Sequence, residues 1–161
     1  MKAYFLEAFS NREDFIKFLA FMLSESDSFS LVYFRRKENE KLKSKAKTIS
    51  EGLKRFKLSS RATQSWPNTE TLDFEHSYKL VMYAADMECL DVLSSVENLY
   101  DWNYPAPMDL CFYRNGYCWL AVTGHEQTAY LYTDSPEDIQ SLEECGAKLS
   151  YTGEETELFR L

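Results

Sequence analysis

The chain has 161 residues, 45% of them hydrophobic and 27% charged, with a formal net charge of −8. That length suits a single domain burying roughly 70% of its unfolded surface, and the composition excludes a disordered or low-complexity chain. The longest apolar stretches, such as residues 18–23, fall far short of the roughly 20 residues needed to cross a bilayer, which excludes a membrane-spanning helix.

Glu7 interrupts the first apolar run before a signal-peptide core forms, so export by that route is not expected. Cys89, Cys111, Cys118 and Cys145 read as reduced thiols of a cytoplasmic protein, because a chain this large with so rich a core does not look like a disulfide scaffold. Charge is uneven. Residues 1–80 hold 15 Lys/Arg against 11 Asp/Glu, whereas residues 81–161 hold 3 against 15, a net of −12. Within residues 35–61 there are 11 basic and 3 acidic side chains, so two surfaces of opposite sign are expected.

In chain order, residues 2–8 read as a strand, and the spacing of Ser10 to Glu13 predicts a capping box opening a helix at Asn11, with Phe15, Phe18, Leu19 and Met22 on its apolar face. Residues 29–34 suit a strand covered on both sides. Leu42, Ala46, Ile49, Leu53 and Phe56 form one helical stripe, which predicts a basic helix over residues 37–57. Trp66 and Pro67 break that pattern, and residues 72–84 read as extended. Asp86 caps a further helix whose face carries Cys89, Leu93, Val96 and Tyr100. A loop stiffened by Pro105 and Pro107 follows.

Asn115 and Gly116 are the preferred pair for a type I′ hairpin turn between residues 110–114 and 117–123. That register sets Phe112 against Trp119 and Leu110 against Ala121, with Cys111, Tyr113, Cys118 and Leu120 on the opposite face. Residues 128–133 extend the hairpin to a meander. Ser135, Pro136, Glu137, Asp138 and Gly146 mark the two ends of a last helix, and residues 149–151 and 158–161 read as terminal strands. The expected fold is a single α+β domain, residues 1–161, with a mostly antiparallel sheet, a C-terminal three-strand meander and about four covering helices.

Phosphate-cradling loops are missing, since the five glycines are isolated and no Gly-x-Gly or Gly-Lys-Ser/Thr occurs. No metal or cofactor is expected: Cys111 and Cys118 are diagonal neighbours on one strand pair and read as small core residues. The best catalytic pair is His125 and Glu126, in a turn where a carboxylate can raise the basicity of an imidazole, though a polar turn carries such residues without any catalysis. The basic segment gives a patch of Arg35, Arg36, Lys37, Arg55 and Lys57, fitted either to a small phosphorylated ligand or to water. Nonspecific nucleic-acid binding is opposed by the acidic half.

Trp66 and the cluster Tyr100, Trp102 and Tyr104, flanked by Glu97, Asp101 and Asp109, suggest an aromatic recognition surface with an acidic rim. The alternative is that these rings fold back onto the core.

The segments Ser65-Trp66-Pro67-Asn68-Thr69, Asp109-Leu110-Cys111-Phe112-Tyr113, Gly116-Tyr117-Cys118-Trp119 and Gly124-His125-Glu126 resemble those of small acidic bacterial proteins met near toxin loci. In style the chain resembles immunity proteins of polymorphic toxins, mainly over residues 60–135. That resemblance implies a compact α+β domain that blocks a toxin by binding it, and it transfers no catalytic motif. The leading expectation is therefore a non-enzymatic protein-interaction module, an immunity-type or defence-related inhibitor of a basic protein partner. The alternatives are a phosphorylated-ligand site or acid–base chemistry at His125 and Glu126, with a homodimer through the basic helix seam or against the acidic half of a neighbour as a further arrangement.

Overall fold

The computed structural model describes residues 1–37 and 39–161. Ten strands and four α-helices are described: β1 (Lys2–Leu6), α1 (Arg12–Glu25), β2 (Ser28–Arg35), α2 (Ser44–Gly52), β3 (Lys57–Ala62), β4 (Ser65–Trp66), β5 (Thr69–Glu70), β6 (Ser77–Ala84), α3 (Leu90–Leu93), β7 (Met108–Arg114), β8 (Tyr117–Thr123), β9 (Thr128–Tyr132), α4 (Pro136–Glu144) and β10 (Leu149–Glu154). Eight strands form one sheet in the order β10-β1-β9-β8-β7-β2-β6-β3, every neighbouring pair antiparallel. β4 and β5 make a separate two-stranded ribbon. The expected α+β class and the meander β7-β8-β9 are observed. No described helix is long and apolar enough to cross a membrane.

Side chains alternate across the pleat and so define two cores. Phe29, Leu31 and Tyr33 of β2, Val81 and Tyr83 of β6, Leu110 and Phe112 of β7, and Leu131 of β9 point to one face. There they meet Phe15, Phe18, Leu19 and Met22 of α1, Ala46 and Ile49 of α2, Leu93 of α3 and Leu142 of α4. No described α-helix packs on the opposite face. Part of it, at Val32 and Leu80, is covered by Trp66 of the ribbon. The rest, around Cys111, Tyr113, Cys118 and Ala121, is covered by the C-terminal tail through Leu158 and Phe159.

Local chemistry explains where the elements depart from the expected ones. α1 is capped by Asn11, whose side chain accepts from the Asp14 amide, rather than by a Ser10 box. The basic helix is cut short: α2 spans only Ser44–Gly52, a 3-10 turn follows at Lys54–Phe56, and the chain then enters the edge strand β3. Its apolar stripe is still satisfied, because Leu53 stays buried in the turn. Of the expected span, Glu38 lies outside the described residues. Residues 72–76 are not strand. Leu72 and Phe74 are 84% and 77% exposed, since Asp73 accepts from the Glu75 and His76 amides and folds the segment into a turn.

The helix expected from Asp86 to Tyr100 is broken into a 3-10 turn, α3 and a second 3-10 turn at Leu99–Asp101. Asn98 restarts it with a capping box to Asp101. In the hairpin, Asn115 and Gly116 adopt φ of 53° and 79°, as a type I′ turn requires. A bulge then pairs Tyr113 with Cys118 and Phe112 with Leu120. Trp119 is the extra residue, so Leu120 joins Phe112 in the helical core instead of facing Cys111. The terminal strand continues to Glu154, whereas residues 158–161 contribute one bridge, Tyr117 to Arg160. α4 starts at Ser135 and Pro136 as expected. Its Asp138 is gripped by Arg114 (3.2 and 2.6 Å) and Thr133 (2.6 Å), and although burial opposes the charge these bonds hold the carboxyl below its ordinary range.

Candidate binding site

The helix-free face carries a groove organised around Asp109. This residue enters β7 with φ of 56°, a left-handed conformation that aspartate tolerates better than most side chains. Its backbone amide donates to the Trp102 carbonyl (3.0 Å). Its carboxylate accepts from the Trp66 indole (2.7 Å) and the Gly124 amide (2.9 Å). Burial pushes the Asp109 carboxyl up from its ordinary value, and the two N–H donors partly offset that rise. One buried residue thus joins the β4–β5 ribbon, the loop before β7 and the turn after β8.

Beside it lies a cavity of about 510 Å³ walled by Phe34, Trp66, Tyr78, Tyr104 and Met108, with His125 and Glu126 at its mouth. The rings brace one another: Phe34 meets Tyr104 edge-on at 5.3 Å and Tyr78 at 5.4 Å, and Tyr78 meets Trp66 at 5.3 Å. Pro67 and Asn68 form the ribbon turn, Asn68 at φ of 58°, and the Asn68 amide donates to the Tyr132 hydroxyl (3.0 Å). At the outer rim, Asp73 accepts from the Tyr78 hydroxyl (2.9 Å) and pairs with His76. The His76 bond, reinforced by Tyr78, holds the Asp73 carboxyl below its ordinary range. Thr69 Oγ1 is buried with no hydrogen-bond partner among the described residues.

Two further depressions continue this cavity. One of about 380 Å³ shares Asn68 and Glu126 with it and is lined by Tyr130, Tyr132, Glu154 and Glu155. The other, of about 530 Å³, shares Tyr104 and His125 and is lined by Glu97, Tyr100 and Asp101. The residues expected as a recognition surface are therefore neighbours around one groove, but with different roles. Trp102 is fully buried, so its ring is core and not contact surface. Trp66 and Asp109 are 3% and 1% exposed and form the wall and frame of the groove. Tyr100 is half-buried and donates to the Leu6 carbonyl. Asp101 and Glu97 are exposed, Asp101 accepting from the Asn98 amide (2.8 Å) and Glu97 standing 3.9 Å from Arg12. Tyr104, 40% exposed, is the open ring.

His125 and Glu126 sit on the 3-10 turn Gly124–Glu126, their Nε2 and Oε1 atoms 3.8 Å apart and both side chains exposed. That separation is an ion-pair distance and not a hydrogen bond. Cys118 lies in the other core, its thiol donating to the Leu120 carbonyl, and burial pushes its pKa well up. It is thus no partner for His125. The basic patch is only partly assembled, Arg35 and Lys57 lining one small cavity on the helical face. Arg35, Arg36 and Lys37 end and follow β2, Arg55 pairs with Glu88 and stacks over Phe56, and Lys57 opens β3. Sequence reasoning missed Phe34, Tyr78, Glu154 and Glu155 as lining residues, and Asp73, which accepts from the Tyr78 hydroxyl. The one signal for part of that set was the Asx-turn chemistry of Asp73. Among the described residues, no group of three or more His, Cys, Asp or Glu is placed to hold a metal ion.

The fold and site define an antiparallel α+β domain with helices on one face and an aromatic, acidic groove that runs from the other face round to Lys45 of α2. Comparison with protein-family models, curated proteins and solved structures finds no match to the chain.

Proposed function

We propose that the protein is a non-enzymatic binding module that holds a basic protein partner in this groove, as an immunity-type inhibitor acting in the cytoplasm. The observation that carries the reading is the charge of the groove. Among the described residues its three adjoining depressions are lined by the carboxylates of Glu70, Glu97, Asp101, Asp109, Glu126, Glu154 and Glu155, against Lys45 as the single lysine or arginine. A carboxylate rim speeds encounter with a basic surface and rejects acidic ones, while a braced aromatic centre supplies contact area that costs little side-chain entropy. The surplus of aromatic residues, 16% of the chain, supports the same reading, as does the resemblance to immunity proteins.

Affinity chromatography from the native source tests it. The intact protein is expected to retain a basic protein that elutes with rising salt. Tyr104→Ala is expected to weaken that binding roughly tenfold or more, and Glu126→Lys with Glu155→Lys to slow association and flatten its salt dependence. No retained protein, or equal retention by the variants, counts against the groove.

A further inference from the structure

On the helical face α2 and the 3-10 turn after it roof a separate cavity of about 220 Å³ above β2 and β6. Its charge is opposite to that of the groove. Arg35 from β2, Lys54 from the turn, Lys57 from β3 and Lys79 from β6 all line it, and among the described residues Glu51 is its single carboxylate. Lys54, Lys57 and Lys79 make no ion pair among the described residues. Val81 and Leu42 give the cavity apolar walls, and hydroxyl groups lie among them. Tyr33 and Tyr83, 3% and 1% exposed, share a hydrogen bond of 2.7 Å between their hydroxyls, with Ser50 beside both. That pair uses one of its two phenolic protons and leaves the other for Ser50 or for a bound oxygen.

We propose that this cavity binds the phosphate group of a small soluble phosphate ester or diphosphate. Cationic donors brought together from four separate elements above hydroxyl donors are the arrangement a phosphate needs, since it accepts several charge-assisted hydrogen bonds at once. The volume favours a compact anion, as sites for larger organic ligands run from about 300 Å³ upward. Lys47, exposed on α2 and outside the cavity lining, belongs to the solvated basic surface and serves as the contrast. The site is independent of the acidic groove, and neither reading rests on the other.

The test is titration of the full, ¹⁵N-labelled chain with inorganic pyrophosphate at constant ionic strength, followed by amide chemical shifts. Saturable shifts confined to residues 33–35, 50–57 and 79–83 are expected. Lys79→Gln and the more exposed Lys57→Gln should each weaken affinity about tenfold, and Lys47→Gln should leave it unchanged. Shifts that do not saturate, or equal weakening in Lys47→Gln, would mean diffuse screening and overturn the site. Tighter binding of a single-stranded oligonucleotide, with shifts spread along α2 and β3, would assign the face to nucleic acid and overturn it equally.

Discussion

Asp109 holds the groove together because two buried donors, the Trp66 indole and the Gly124 amide, have it as their acceptor. Removing the carboxylate strands both, and an unsatisfied buried donor costs more than an average hydrogen bond contributes. Asp109→Ala is expected to cost about 3 kcal/mol in urea unfolding, the relief of carboxyl desolvation offsetting part of the loss. The pH dependence has a definite sign. Burial raises the folded-state pKa above the unfolded value, so the folded protein binds the extra proton and the contribution of Asp109 falls as pH rises through that window. The cost of Asp109→Ala should therefore be larger near pH 4 than at neutrality. An equal cost at both would remove the desolvated carboxyl from the account.

At the scale of elements, the groove depends on the short turn after β8. A Cβ on Gly124 would overlap the Trp102 carbonyl oxygen, so Gly124→Ala must push the turn away from the loop before β7. An expected loss of about 2 kcal/mol or more should be accompanied by chemical-shift changes at His125 and Glu126. A neutral substitution would show that the two segments are not pressed together. Such contacts explain what the sequence could and could not disclose. β2, the β7–β8 hairpin and α4 were legible because a run of aromatic and β-branched residues, Asn115-Gly116 and Ser135-Pro136 are local signals. β3 was not, since its six residues are all exposed and its pattern was absorbed into the stripe ending at Phe56. The aromatic surplus was legible as composition. Which rings were wall, core or open surface was not, because the burial of Trp102 and the exposure of Tyr104 are decided by residues distant in the chain.

Across the whole molecule, the two faces of one sheet are closed by different means, and this sets where the thiols are accessible. Cys89, Cys111 and Cys118 are buried, and Cys145 is half-buried. The tail that covers Cys111 and Cys118 is fixed by the Phe159 carbonyl accepting from the Cys118 amide (2.9 Å) and by the Leu161 amide donating to Gly116 (3.0 Å). In the intact protein a maleimide reagent should label Cys145 first and leave Cys118 unmodified. A variant ending at Glu157 should expose Cys118 to the reagent while keeping the far-ultraviolet spectrum of the folded sheet. Continued protection of Cys118 in that folded variant would show that the tail is not its cover.

The position of β1 has a consequence in time. It is held between β9 and β10 and pairs with no strand nearer in sequence. During synthesis, Lys2–Leu6 therefore precedes both of its partners and waits unpaired until Thr128–Glu154 has been made. A sheet that pairs its first described strand with its last has high contact order, which slows folding toward the millisecond-to-second range. Until then the apolar face of β1 is open to whatever binds unfinished chains.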